Sequence, residues 1–100
     1  MLNIHQKYCK ETFFDGKLCH FEAVYKSDFN FAYDIVDVIA EKEPKRRAMV
    51  WCNDKGDEKV FTFADIKKYT DQTANMLKSK GINKGDVVML ILKRHYEFWI

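Results

Sequence analysis

Residues 87–92 read Val-Val-Met-Leu-Ile-Leu, six consecutive apolar positions between Gly85-Asp86 and Lys93-Arg94. A short apolar run without polar alternation, placed after a helix and a glycine turn, predicts a strand buried on both faces, as in a parallel sheet. Such a strand cannot be the edge of a finished sheet. The fold class is therefore α/β, and the chain reads as part of a larger sheet. In open α/β folds ligands bind beyond the carboxyl ends of several such strands, and this sequence supplies one. Lys93 and Arg94 emerge there, where two cations could meet a phosphate or carboxylate. The competing reading is that they cap the strand, reach to water, or pair with Glu97.

The rest of the chain is ordered around that run. Residues 1–28 show no sustained period. Phe13-Phe14-Asp15-Gly16-Lys17 predicts a turn between two short extended pieces, and the remainder is expected to be an arm lying on a larger surface. Asn30 is the expected N-cap of a helix over 31–43, with Phe31, Ile35, Val38 and Ile39 on one face and Pro44 as its stop. Strand-forming residues at 48–52 and 59–63 flank an Asp/Gly-rich connection and predict a hairpin, with Gly56 free to take a positive φ. Thr62 is the expected N-cap of a second helix, with Asp65 completing a capping box. That helix runs to about Lys80, presents Ile66, Tyr69, Thr70, Thr73, Ala74 and Leu77 inward, and stops at Gly81.

Composition narrows the function classes. With 47% apolar and 32% charged residues the chain is ordinary globular material. Its net charge of +2 is far from the field of a nucleic-acid binder, and Lys67, Lys68, Lys78, Lys80 and Lys84 are interrupted by Asp65, Asp71 and Asp86, as on a solvated helix face. No apolar run approaches a membrane span. The first residues lack the apolar core of a secretory signal, so free thiols at Cys9, Cys19 and Cys52 in a reducing cytoplasm are expected.

The catalytic inventory is thin. His5, Cys9, Cys19 and His20 suggest zinc, but zinc ligands come in tighter pairs, and incidental cysteines are the preferred reading. Asp34 and Asp37 stand three apart on the first helix and are expected on its solvent side. The glycines at 16, 56, 81 and 85 are too scattered to cradle a phosphate. No catalytic, cofactor-binding or metal-ligating residue is assigned.

Four landmarks carry a family resemblance. Phe29-Asn30-Phe31-Ala32-Tyr33-Asp34 resembles the "FN…D" helix entry of medium-chain and aryl acyl-CoA synthetases. Phe61-Thr62-Phe63-Ala64-Asp65-Ile66 resembles the first core motif of the AMP-forming adenylating enzymes, a strand-to-helix Leu-Thr/Ser-Tyr-x-Glu-Leu. Ala74-Asn75-Met76-Leu77 with Gly81-Ile82-Asn83-Lys84-Gly85-Asp86-Val87-Val88 resembles "ANxL…GVxKGDxV". Leu92-Lys93-Arg94-His95-Tyr96-Glu97-Phe98-Trp99 resembles "LPRxPEFW", with Lys93 and Tyr96 in place of prolines, as Asp65 stands in place of Glu. The resemblance spans 29–100. With residues 1–28 as the N-terminal arm, it implies that 29–100 are the start of the large N-terminal domain of an AMP-forming ligase of fatty-acid metabolism. It also implies that the parent uses ATP, Mg and CoA on a carboxylic acid. The phosphate loop, adenine-holding motif, ribose-binding aspartate and C-terminal lysine of that family have no counterpart in these residues. The segment alone is expected to be inactive and open to self-association through uncovered aromatics. A small non-catalytic α/β interaction module is the alternative.

Overall fold

The computed structural model describes residues 2–100. It contains two separate antiparallel hairpins and two helices. The first hairpin pairs β1 (Cys9–Phe14) with β2 (Lys17–Ala23). Asp15 and Gly16 both take positive φ, at 50° and 71°, the two-residue turn whose twist matches flanking strands. A 3-10 turn at Ile4–Lys7 precedes this hairpin. Hydrogen bonds tie the arm to the body: Leu2 N–H donates to Glu43 Oε1 at 2.7 Å, Arg46 Nη1 donates to the Leu2 carbonyl at 3.2 Å, and the Tyr8 hydroxyl donates to the Asp34 carbonyl at 3.4 Å.

The first helix begins where its cap was expected. Asn30 Oδ1 accepts from Ala32 N at 3.0 Å and Tyr33 N at 3.4 Å, while Asn30 N donates back to Asp34 Oδ2 at 2.8 Å. The helix is not uniform: Ala32–Asp37 is π-helical and continues into α1 (Val38–Lys42). Wider π turns rotate the side chains relative to a 3.6-residue count. Of the expected face, Ile39 is buried, Ile35 and Val38 are half-buried and Phe31 is exposed, while Val36 and Ala40 are buried beside them. Glu43, ahead of Pro44, has φ −134° and ψ 60° and leaves the helix.

The second hairpin pairs β3 (Arg47–Cys52) with β4 (Glu58–Thr62). Its loop is folded by Asn53, whose Oδ1 accepts from Lys55 N at 3.0 Å and Asp57 N at 2.9 Å, with Gly56 at φ 85°. Thr62 then caps α2 (Phe63–Ser79) with the predicted box. Thr62 Oγ1 accepts from Asp65 N at 3.2 Å and Thr62 N donates to Asp65 Oδ2 at 2.9 Å. Two further amides at this helix start are satisfied from the preceding chain, Phe63 N by the Arg46 carbonyl at 2.9 Å and Ala64 N by the Pro44 carbonyl at 3.2 Å. The helix closes with Ile82 N on the Leu77 carbonyl at 3.2 Å and Gly81 N on the Lys78 carbonyl at 3.0 Å, Gly81 being left-handed at φ 80°. Thr62→Ala is expected to lower stability by about 1 kcal/mol; an unchanged denaturant midpoint would count against this cap.

The core lies where α2, β4 and the first helix meet: Val36, Phe61 and Ile66 are buried, with Met49, Trp51, Phe63 and Tyr96 packed around them. On α2 the inward stripe is realised in part. Ile66 is buried and Thr70, Thr73 and Leu77 are half-buried, but Tyr69 and Ala74 are exposed.

The buried strand expected at 87–92 is not formed. These residues enter no ladder, and all six are exposed. The physical reason is partnership: a parallel strand buried on both faces needs a neighbouring strand and layers over those faces, and each sheet among the described residues is a two-stranded hairpin that this run does not join. The radius of gyration is 16.7 Å, against about 13 Å for a compact domain of this length.

Candidate functional site

The expected ligand position at Lys93 and Arg94 lies on a bend after the apolar run, and both side chains are exposed. They line a small cleft of about 310 Å³ with Trp51, Cys52, His95 and Trp99. Trp51 Nε1–H donates to the Arg94 carbonyl at 2.7 Å, so β3 fixes the backbone of this bend. His95 Nδ1 is 4.0 Å from Glu97 Oε2. The pairing of Lys93 or Arg94 with Glu97 that the sequence allowed is replaced by this contact.

The bend is held by a residue that sequence reasoning noted only as a substitution. Tyr96 opens a 3-10 turn (Tyr96–Trp99) and places its ring 5.0 Å from that of Phe61 and 5.6 Å from that of Trp51. Lys59 Nζ donates to its hydroxyl at 2.9 Å and sits 4.4 Å from its ring centroid. The Tyr96 hydroxyl bond is the main reason the Lys59 ammonium is held above its usual pKa. The available signal was the aromatic itself: a tyrosine in place of a proline next to Phe98-Trp99 has a ring to bury and a hydroxyl to satisfy.

The two helix carboxylates separate. Asp34 serves the Asn30 amide. Asp37, expected on the solvent side, turns toward α2 and accepts from Lys67 Nζ at 2.6 Å, with Asp71 3.5 Å from the same ammonium. This corrects the expected placement, because rotation by the π turn carries Asp37 to the interhelix side. The Asp37 bond is the main cause of a raised Lys67 pKa. The zinc reading finds no assembly: among the described residues no three His, Cys, Asp or Glu side chains come together to hold a metal. Cys19 Sγ instead donates to the Lys17 carbonyl at 3.4 Å.

Two carboxyls are held low by hydrogen bonds. The Thr62 hydroxyl, then its amide, hold Asp65 below the usual carboxylate range. The Leu2 amide, then Arg46, do the same for Glu43 against a desolvation that raises it. A depressed folded pKa contributes stability above the ordinary value of about 4, and that contribution is lost as pH falls through the lower folded value. The thermal midpoint should therefore hold between about pH 7 and 5 and fall below about pH 4. Asp65→Asn should flatten that fall, as measured by melting across a pH series.

At the bend the exposed Lys93 and Arg94 side chains are open to surface anion contact. One apolar cleft of about 540 Å³ runs between the first helix, β3 and α2, with Trp99 at its rim.

The comparisons with known proteins agree on the kind of protein. A family model described as AMP-binding enzyme matches residues 36–100. The chain is 35% identical over 95 residues to the mitochondrial acyl-coenzyme A synthetase ACSM4 of Homo sapiens, covering 83% of this chain and 16% of that protein. It is 37% identical over 78 residues to the mitochondrial acyl-coenzyme A synthetase ACSM5 of Rattus norvegicus, covering 72% and 14%. It is 39% identical over 79 residues to the mitochondrial acyl-coenzyme A synthetase ACSM1 of Mus musculus, covering 73% and 14%. The chain thus spans about one-sixth of the length of the curated relatives it matches. Their names also overturn the cytoplasmic expectation, since these relatives are mitochondrial proteins. The screen behind that expectation sought an apolar secretory core, which mitochondrial targeting segments do not carry.

Proposed function

Since this chain belongs to the family of AMP-binding enzymes, we propose that it is the amino-terminal part of a mitochondrial acyl-CoA synthetase. The parent activates a carboxylic acid with ATP and Mg to an acyl-adenylate and passes the acyl group to CoA. The observation that carries this reading is the match over 36–100 to the family model, together with the similarity to mitochondrial acyl-coenzyme A synthetases. The capped strand-to-helix junction at Phe61-Thr62-Phe63-Ala64-Asp65-Ile66 supports it, because the motif's polar positions are the ones that make the cap.

Within that reading, residues 1–28 are an arm and 29–100 open the large domain. Residues 87–92 become a strand of a parallel sheet once neighbouring strands are supplied, which explains six apolar residues in a row. The chemistry requires phosphate neutralisation and an in-line arrangement of the acid and the α-phosphate, groups this segment does not assemble. The segment by itself is inactive in this proposal.

The test is pyrophosphate release with ATP, Mg, CoA and a panel of short, medium-chain and aromatic acids. It is run on the 100-residue chain and on the longer reading frame that contains it. The longer protein should turn over at least one acid and the 100 residues none. A longer protein inert with every acid, or a frame without a Ser/Thr/Gly-rich phosphate loop, would overturn the proposal.

A further inference from the structure

The exposure of residues 87–92 alternates. Val87, Met89 and Ile91 are 94%, 82% and 83% exposed, whereas Val88, Leu90 and Leu92 are 52%, 55% and 40% exposed. A period of two is that of an extended strand, and the even residues are the ones lining a groove along α2 with Tyr69, Met76 and Leu77. The run is therefore laid out as a strand with one face on the helix, and it enters no ladder. An apolar strand with unpaired amides and carbonyls is a template for another strand.

We propose that the 100-residue chain pairs with a second copy of itself through this run, antiparallel and centred on Leu90. Charge selects the direction. Asp86 enters the run and Lys93 and Arg94 leave it, so a parallel pair sets like charges side by side, whereas an antiparallel pair sets the acidic entry of each copy beside the basic exit of the other. Symmetry selects the register. A two-fold axis perpendicular to a sheet keeps each residue on its own face, so a residue must lie opposite its own copy. Centring on Met89 would place Lys84 opposite Arg94. Centring on Leu90 places Asp86 opposite Arg94 and Val88 opposite Leu92, with both α2 helices on one face of the joined strands. Among the described residues no ion pair engages Asp86 or Arg94, and the Asp86 carboxylate accepts from the Asn83 amide at 2.7 Å.

The inference goes beyond the proposed ligase activity and stands or falls separately from it, because it is read on the 100-residue chain by association state. Sedimentation should show a concentration-dependent monomer–dimer equilibrium. Arg94→Asp or Asp86→Arg alone should weaken it about tenfold, from two symmetry-related pairs each changed to a repulsion. The double exchange should restore it. In a background with Cys9, Cys19 and Cys52 changed to Ser, Leu90→Cys should oxidise to a disulfide dimer, while Met89→Cys and Ile91→Cys, each opposite the other's position, should not. Circular dichroism confirms that each variant retains its helices. A chain that stays monomeric, forms open-ended aggregates, fails to recover in the double exchange, or cross-links equally from all three positions overturns the proposal.

Discussion

Phe61→Ala is expected to remove the cooperative thermal transition of this chain. Phe61 is 6% exposed, lies opposite Met49 in the hairpin, and touches the rings of Tyr96 at 5.0 Å and Tyr69 at 6.2 Å. It joins β4, α2 and the carboxyl-terminal turn in one cluster with Val36 and Ile66. Truncating a buried Phe costs about 3–5 kcal/mol, while whole domains hold only about 5–15 kcal/mol, and a core with five buried residues among those described belongs at the low end. Its neighbour Val60, on the opposite face of the same strand and 53% exposed, is the control: Val60→Ala should change stability by no more than about 0.5 kcal/mol. Melting followed by circular dichroism separates the two, and equal effects would mean that the hairpin does not present one face to a core.

Local signals in this sequence translated directly into local structure. The Thr62–Asp65 box, the Asn30 cap, the Gly81 stop and the Asn53–Gly56 loop each depend on residues within a few positions of one another, so no distant partner could override them. The Asp15-Gly16 turn was legible for the same reason. Two features were not legible. The π-helical stretch of Ala32–Asp37 has no composition signal, and its rotation brings Val36 and Asp37 to the inner side. The run at 87–92 was read correctly in its period-indifferent apolarity and wrongly in its burial. Burial is a property of the neighbours, and no residue within the run states whether they are present.

The candidate ligand position shows the same division. That Lys93 and Arg94 would stand together at the end of the run follows from their adjacency. That a tyrosine at position 96 would pin the bend through Phe61, Trp51 and Lys59 requires a hairpin 37 residues earlier in the chain to be folded beside it. The family match at 36–100 covers the hairpin, α2 and the bend together, and with them three of the four landmarks that carried the resemblance; Phe29–Asp34 lies ahead of it. The arm before it was tied down by contacts of Leu2 and Tyr8 that no motif announced.

The sharpest contrast between a residue buried here and one merely apolar is Ile66→Asp against Leu90→Asp. Ile66 is 8% exposed in the first turns of α2, so an aspartate there loses its water and gains no partner, at a cost of several kcal/mol. Its position near the positive end of the helix dipole returns only about 0.3–1 kcal/mol, too little to offset that loss. The expected result is an unfolded or molten chain without a cooperative transition. Leu90 is 55% exposed, so its aspartate keeps most of its hydration, and in dilute solution the change should stay within about 1 kcal/mol. If Leu90→Asp melts as early as Ile66→Asp, the apolar run is covered in the 100-residue chain after all, and both the exposed strand and the self-pairing built on it are wrong.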